Sequence, residues 1–194
     1  MSGNDKPPIA FLSGERVYLR PFESDDIPQL LCWLNDPAVW RTLGVFLPVS
    51  EKTEQEFVEI ANSGKDNIVY LAIALHEGNR LIGSMGLKDI IWKDRSATFG
   101  IFIGPAECRS QGYGTEATRL LLDYAFRTLN LNRIGLEVFA NNAAAIRVYE
   151  KVGFVREGVQ RERRFLDGKY VDQYLYGILA REFNETHPNS EPRP

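Results

Sequence analysis

Residues 109–115 of this chain read Arg-Ser-Gln-Gly-Tyr-Gly-Thr and lie between a predicted strand and a predicted amphipathic helix. Gly112 and Gly114 allow a tight turn and the close approach of a ligand, because neither has a Cβ atom. The first amides of the next helix have no partner within the helix, and the helix dipole makes them attractive to a phosphate or pyrophosphate. Arg109 adds a full positive charge. The segment therefore predicts an anion-binding loop, although two glycines before a helix can also form a simple turn.

The same segment also fits a dinucleotide-binding fingerprint. Residues 112–117 match G-x-G-x-x-A, and Glu137 follows in the next predicted strand, where an acid would hold a ribose. That fingerprint normally opens its domain, and a doubly wound sheet needs on the order of 150 further residues. The chain ends at Pro194, well short of that length. Chain length therefore argues against a nucleotide-binding redox domain.

The pattern on both sides of the loop predicts one domain of mixed α/β structure. Period-two alternation and apolar runs predict strands at residues 16–20, 68–75, 81–88, 97–103, 133–139, 155–158 and 170–179. Caps and helical periodicity predict helices at residues 27–34, 50–61, 115–130 and 143–151, the last ending at Gly153. Hairpins come first and alternating strands and helices follow. This order indicates a sheet with helices packed against it.

Composition limits the class of protein. The chain has 23 Lys and Arg against 26 Asp and Glu, which indicates neither a nucleic-acid partner nor a membrane surface. It shows no signal peptide and no apolar run long enough to span a membrane, so we predict a cytoplasmic protein. Two histidines and two cysteines leave little material for a metal site or a Cys–His pair, and we predict no metal. Polar, Pro-rich ends predict disorder at residues 1–9 and 184–194, around a domain at residues 10–183.

A second informative segment, NNAAAIRVYEKVGF, covers residues 141–154. Taken singly, an asparagine before a helix is an ordinary cap and a tyrosine within the helix is ordinarily core. Because this segment follows the loop at residues 109–115 along the chain, however, the two segments together resemble the signature motifs of the GNAT superfamily of acetyl-CoA-dependent N-acetyltransferases. RSQGYGT is similar to its pyrophosphate loop Q/R-x-x-G-x-G/A, and NAAAIRVYEKVGF is similar to its signature N-x-x-A-I-x-x-Y-E-K-x-G-F. The resemblance covers about residues 11–183, and both ends look most like the ribosomal-protein-alanine and spermidine acetyltransferase branch.

This resemblance implies the GNAT fold, a twisted mixed sheet splayed at its centre, with acetyl-CoA as co-substrate in the splay. The pantetheine arm would pair with the backbone of Ile101, Phe102 and Ile103. Asn142 would bond the same arm, and Tyr149 would lie near the thioester sulfur. The pyrophosphate would be held by the amides of Arg109, Ser110, Gln111, Gly112, Tyr113 and Gly114, together with Thr115.

Direct acetyl transfer to an amine requires few protein groups. Donors must stabilise the oxyanion, and the leaving CoA thiolate needs a proton, for which Tyr149 is the predicted general acid. Glu137 is the candidate base acting through water, with a structural role for this residue and a solvent water chain as alternatives. Many relatives carry a glutamate in the strand before the loop. Thr98 stands at that position in this chain and cannot act as a base.

The expected acceptor is a primary amine, either a small molecule such as a polyamine or a protein N-terminus. Residues 27–61 and the turn at residues 161–170 would select it. The acids Glu51, Glu54, Glu56 and Glu59 could attract a basic amine or simply form a solvated helix face. The aromatic residues Trp33, Trp40 and Phe46 could line an acceptor pocket or belong to the core. A non-catalytic acyl-CoA-binding or sensing domain is the alternative function, supported only by Thr98, and a homo-oligomer stays open.

Overall fold

The computed structural model describes residues 9–65 and 67–188. One mixed sheet contains eight strands in these residues: β1 (Leu12–Ser13), β2 (Val17–Arg20), β3 (Val69–Leu75), β4 (Leu81–Ile91), β5 (Ser96–Ile103), β6 (Arg133–Phe139), β7 (Val155–Leu166) and β8 (Lys169–Leu179). Their order across the sheet is β1-β2-β3-β4-β5-β6-β8-β7. All neighbouring strands are antiparallel except β5 and β6, which are parallel. The predicted mixed α/β sheet is confirmed.

Six α-helices flank the sheet in the described residues. They are α1 (Ile27–Leu34), α2 (Pro37–Leu43), α3 (Glu51–Ala61), α4 (Tyr113–Asp123), α5 (Ala143–Val152) and α6 (Ala180–Thr186). The polypeptide continues from α4 into a π-helical turn at Tyr124–Thr128. None of these helices is both long and apolar enough to cross a lipid bilayer.

The sheet separates two apolar cores, and strand β3 contributes to both. Leu71, Ile73 and Leu75 pack on the face covered by α4, α5 and α6. Ala72, between them in the sequence, packs on the opposite face with residues of α1, α2 and α3. Successive side chains of a strand point to opposite faces, so one apolar run supplies both layers.

The parallel pairing of β5 and β6 is short. Only Ser96–Thr98 pair with Arg133–Gly135, whereas β5 continues beside β4 as far as Ile103 and β6 continues beside β8 as far as Phe139. The two strands therefore separate beyond Thr98 and leave a cleft in the middle of the sheet. This is the splay that the family resemblance implies.

Several features differ from the sequence prediction, among them the two-residue strand β1, which was not predicted. Helix α2 was not predicted, because its seven residues are too few to show periodicity; Asp36 caps it by accepting from the Ala38 N–H at 2.8 Å. Strand β7 runs past the predicted end at residue 158, since an edge strand that is exposed along most of its length needs no apolar alternation. The domain also extends beyond the predicted boundary at Phe183.

The C-terminal correction has a clear physical cause. Residues 184–186, predicted to be disordered, form the last turn of α6. Phe183 is 1% exposed, and its ring packs on Phe126 at 5.4 Å and stacks on His187 at 4.5 Å between centroids. Because residues 184–186 are polar, composition alone predicts disorder and does not reveal that the buried Phe183 before them fixes the helix to the core. Of the two predicted disordered ends, residues 1–8 and 189–194 lie outside the described residues.

A buried ion pair at the start of the α1–α3 layer gives a stability test. Asp26 accepts from both terminal nitrogens of Arg20, at 2.7 and 2.8 Å, and from the Glu23 N–H at 2.8 Å. We expect Asp26→Asn to lower the free energy of unfolding by about 3–5 kcal/mol in urea titrations, because it leaves the Arg20 charge buried and unpaired. The matched control, Asp25→Asn in the same turn, alters an exposed carboxylate and should cost less than about 0.5 kcal/mol. Equal losses for the two variants would contradict this assignment.

Candidate active site

The β5 edge of the cleft presents alternate backbone groups. The Gly104 N–H donates to the Ile82 carbonyl at 2.9 Å, so every second residue back along β5 faces β4. Phe102 therefore directs its backbone groups to β4, whereas Ile101 and Ile103 direct theirs into the cleft. The Ile103 carbonyl is already used, because Arg109 Nε donates to it at 3.2 Å. Of the three residues predicted to pair with the pantetheine arm, only Ile101 and Ile103 thus offer backbone groups to the cleft.

Arg109 fixes the glycine-rich loop to the end of β5. Its guanidinium donates to the Ile103 carbonyl and, at 2.6 Å, to the Gly104 carbonyl. Its own N–H donates to the Ala106 carbonyl at 3.1 Å. The N–H and much of the donor capacity of this residue are therefore used inside the protein, which leaves a smaller part of Arg109 available to an anion than the sequence suggests.

The remainder of the loop turns the chain so that the first amides of α4 face outward from the helix end. Ser110 and Gly112 have left-handed backbone angles, φ 59° and 89°, that turn the chain into α4. No side chain caps this helix, and its first internal bond runs from the Glu116 N–H to the Gly112 carbonyl. The amides of Tyr113, Gly114 and Thr115 consequently lack an acceptor within the helix. These free amides, beside a positive helix end, are the groups on which the prediction of a phosphate site depends.

Arg16 is a charged residue at this loop that sequence reasoning placed only in a strand. Its Nη1 donates to the Gln111 carbonyl at 3.0 Å, and its guanidinium carbon lies 4.8 Å from the centre of the Tyr113 ring. Its Nε donates to Glu116 at 3.1 Å. No local signal could reveal this residue, because its partners are about a hundred positions away along the chain.

Tyr149 lies on α5 among aromatic rings at the base of the cleft. Its ring meets Phe99 of β5 edge to face at 6.1 Å and lies 6.5 Å from Tyr176 of β8. The side chain is 6% exposed, and this burial raises the pKa of the phenol to about 12. Its hydroxyl has no hydrogen-bond partner among residues 9–65 and 67–188. Tyr149 is therefore a protonated donor without an internal acceptor.

Asn142 begins the same helix. Its side-chain oxygen accepts from the Ala145 N–H at 3.2 Å, which confirms the predicted cap and occupies the acceptor. The amide nitrogen has no partner within the described chain and can still donate. A structural and a binding role are thus compatible at this residue.

Glu137 lies on the opposite face of the sheet from Tyr149. Its neighbours Leu136 and Val138 pack in the core that contains Tyr149, so the Glu137 side chain points the other way. One of its oxygens accepts from Gln173, whose own oxygen accepts from Arg164 Nε at 2.6 Å. This network orients the carboxylate. Thr98 pairs with Gly135 at the closed end of the cleft.

The α1–α3 layer contains the features predicted to select an acceptor. Trp33 is buried and belongs to the core, where it contacts Phe102. Trp40 and Phe46 instead line a pocket of about 230 Å³ with Leu34, Asn35, Val45, Leu47 and Pro48. On α3, the side chains of Glu51, Glu56 and Glu59 are exposed. Glu54 differs from them: it is 4% exposed, and burial raises its pKa.

Comparison with known proteins now identifies the family. The family model described as the acetyltransferase (GNAT) domain matches residues 16–155. This chain belongs to the GNAT acetyltransferase family. Membership confirms the predicted enzyme class, an acetyl-CoA-dependent N-acetyltransferase. Within the described residues, no group of three or more His, Cys, Asp or Glu side chains is placed to hold a metal ion.

Individual GNAT relatives share nearly the whole domain. The probable N-acetyltransferase YjcK of Bacillus subtilis is 37% identical over 177 residues, covering 87% of this chain and 96% of the relative. The spermidine N(1)-acetyltransferase of Escherichia coli K12 is 29% identical over 179 residues, covering 90% and 92%. The crystal structure of spermidine N-acetyltransferase from Vibrio cholerae in complex with CoA and spermine has a TM-score of 0.79 at 28% identity, covering 86% of this chain and 97% of that one. The GNAT fold and the resemblance to spermidine acetyltransferases are confirmed.

Gly112 provides a test of the anion site. We expect Gly112→Trp to abolish CoA binding in calorimetric titrations, because the new side chain fills the loop beside Arg16 Nη2, which lies 3.0 Å from the position of a Cβ atom. The matched control is Gly78→Trp, at φ 68° with open space around the Cβ position. Both variants place a side chain on left-handed backbone at a cost of about 1–2 kcal/mol. Loss of CoA binding in the control, or its retention in Gly112→Trp, would contradict the assignment.

Proposed function

We propose that this GNAT enzyme transfers the acetyl group of acetyl-CoA directly to a primary amine, with Tyr149 as the general acid. The observation that carries the proposal is the hydroxyl of the buried Tyr149, which has no partner in the described residues and lies at the base of a cleft whose β5 edge has free backbone groups. Pantetheine can pair with that edge as an additional strand while the loop before α4 holds the pyrophosphate. The thioester would then lie in the gap between β5 and β6, where groups on either face of the sheet can reach it.

The raised pKa of Tyr149 sets what this residue can do. With a pKa of about 12 the phenol stays protonated at neutral pH, so it can donate to the sulfur throughout the reaction. A thiol has a pKa of about 8.5, so complete proton transfer from this phenol to a free thiolate is uphill. Tyr149 therefore first donates a hydrogen bond to the negative charge that develops on sulfur in the transition state. As the C–S bond breaks it gives its proton to the sulfur and regains one from water, so that CoA leaves as the thiol.

Direct transfer also fits the state of the cysteine nearest the loop. Cys108 is 3% exposed, and burial raises the pKa of its thiol although the nearby Arg80 lowers it. Arg80 Nη2 contacts the sulfur at 2.9 Å. A buried thiol held in this way is a poor nucleophile, so an acyl-enzyme on Cys108 is not part of the proposal.

Glu137 is the proposed general base. Because it points to the face opposite Tyr149, an amine that enters from the α1–α3 side would meet the thioester with Glu137 nearby and Tyr149 beyond it. One carboxylate oxygen accepts from Gln173, and Arg164 lies 3.8 Å from the same oxygen. The other oxygen can accept a proton from the amine through a water molecule.

The proposed acceptor is a small basic amine of the polyamine class. Two of the relatives compared above are spermidine acetyltransferases, and one was crystallised with spermine. In this chain the exposed acids of α3 lie in the layer from which the acceptor would enter. A protein N-terminus is the second acceptor class to compare.

An acceptor screen tests the transfer itself. We expect acetyl-CoA and polyamines to release free thiol, with the acetylated polyamine identified by mass spectrometry. Alanine-starting peptides form the comparison set, and acetyl-CoA without amine is the blank. CoA binding without thiol release from any amine would instead favour the acyl-CoA-binding domain.

The Tyr149 hydroxyl can be tested by its removal. We expect Tyr149→Phe to lower kcat by about 10²-fold, the usual contribution of a general acid, while the KM for acetyl-CoA changes little. Tyr176→Phe is the control within the same aromatic cluster; its hydroxyl donates to Glu150 at 2.9 Å and has no place in the chemistry. Unchanged kcat in Tyr149→Phe would remove this residue as the acid.

A further inference from the structure

The Arg16 guanidinium has one unused nitrogen at the mouth of the anion loop. Its Nε and Nη1 are bonded to Glu116 and to the Gln111 carbonyl, but Nη2 has no partner in the described residues. Nη2 lies 3.0 Å from the position that a Cβ atom of Gly112 would occupy. We propose that Arg16 Nη2 binds the pyrophosphate of CoA directly. The inference rests on the proposed use of acetyl-CoA.

Arg16 is already ordered for this contact. Its side chain is 47% exposed, yet Glu116, the Gln111 carbonyl and the Tyr113 ring hold the guanidinium in one position. A free arginine loses much rotamer freedom when it binds an anion, and a held one loses little. The remaining donor therefore contributes more to affinity than that of a mobile surface arginine.

Charge gives a second reason for the role of Arg16. Glu116 lies in the first turn of α4, close to where the phosphates would be bound. Although partial burial raises the pKa of Glu116, hydrogen bonds from the Arg16 and Val17 amides and from the Arg16 side chain lower it overall, so the carboxylate is ionised at neutral pH. Unneutralised, this charge would repel the phosphates. Arg16 offsets it and adds a donor.

These two effects predict opposite results for the two partners of the ion pair. Arg16→Gln removes the donor and leaves the Glu116 charge unbalanced, so CoA affinity should fall at least about tenfold, as for loss of a hydrogen bond between charged groups. Glu116→Gln removes the repulsion and keeps an oxygen that can accept from the two amides. The Gln111 carbonyl and the Tyr113 ring still hold the Arg16 guanidinium in this variant, so CoA affinity should hold or rise. If the pair served only to clamp the loop, both variants would weaken CoA.

The experiment is calorimetric titration of the full chain with CoA, with dephospho-CoA, which lacks the 3′-phosphate, and with pantetheine, which has no phosphate. Pantetheine is measured by competition against CoA. Arg119→Gln, which removes an exposed positive charge from the same helix, is the control and should change CoA affinity less than about twofold. We expect Arg16→Gln to weaken CoA and dephospho-CoA alike and to leave pantetheine unchanged.

Three results would overturn the inference. The first is weaker pantetheine binding in Arg16→Gln, and the second is weaker CoA binding in Glu116→Gln. The third is an Arg16→Gln variant that binds CoA more weakly but binds dephospho-CoA as tightly as the wild type does. The last result would assign Arg16 to the 3′-phosphate.

If Arg16→Gln does not fold, Arg16→Lys is compared in the same way, because lysine keeps the charge but cannot reach Glu116, Gln111 and a phosphate at once. Failure of thiol release by the wild type would refute the proposed transfer, while the binding data would still decide the role of Arg16.

Discussion

Strands β5 and β6 share only the pairing of Ser96–Thr98 with Arg133–Gly135, and the site is arranged around the gap that follows. Each strand keeps its other neighbour, so the gap does not weaken the two halves of the sheet. It does leave polar backbone groups of β5 without a strand partner, which is unfavourable unless water or a ligand bonds to them. An extended amide-containing ligand satisfies those groups as a missing strand would.

The two ends of this cleft have different electrostatic characters. At the mouth, free amides of α4 and the Arg16 guanidinium lie close together, and Glu116 holds that guanidinium in position. At the base, aromatic rings exclude water from Tyr149 and raise its pKa. A ligand with a charged diphosphate at one end and an apolar thioester at the other matches this gradient. CoA has this distribution of charge.

The two faces of the sheet divide the proposed chemistry. Tyr149 approaches from the α4–α5 side, and Glu137 points to the α1–α3 side with the Gln173 network around it. The Arg41–Asp167 ion pair at 3.1 Å links the α1–α3 layer to the β7–β8 hairpin, because Arg41 lies on α2 and Asp167 in the turn between the two strands. In the proposed reaction, the proton donor Tyr149 and the acceptor amine would therefore reach the reacting carbon from different sides of the sheet. No residue has to serve both.

The amino-acid sequence by itself determined the mixed sheet, the loop at residues 109–115, the Asn142 cap and the Gly153 end of α5, because periodicity, caps and glycine conformations are local properties. Only the tertiary structure decided which backbone groups of β5 face the cleft, that Arg109 is largely used within the protein, and that Arg16 takes the place beside the loop. It also decided the high pKa of Tyr149 and the order of α6 around Phe183. These properties depend on burial and on contacts between residues far apart in the chain, and a local pattern contains neither.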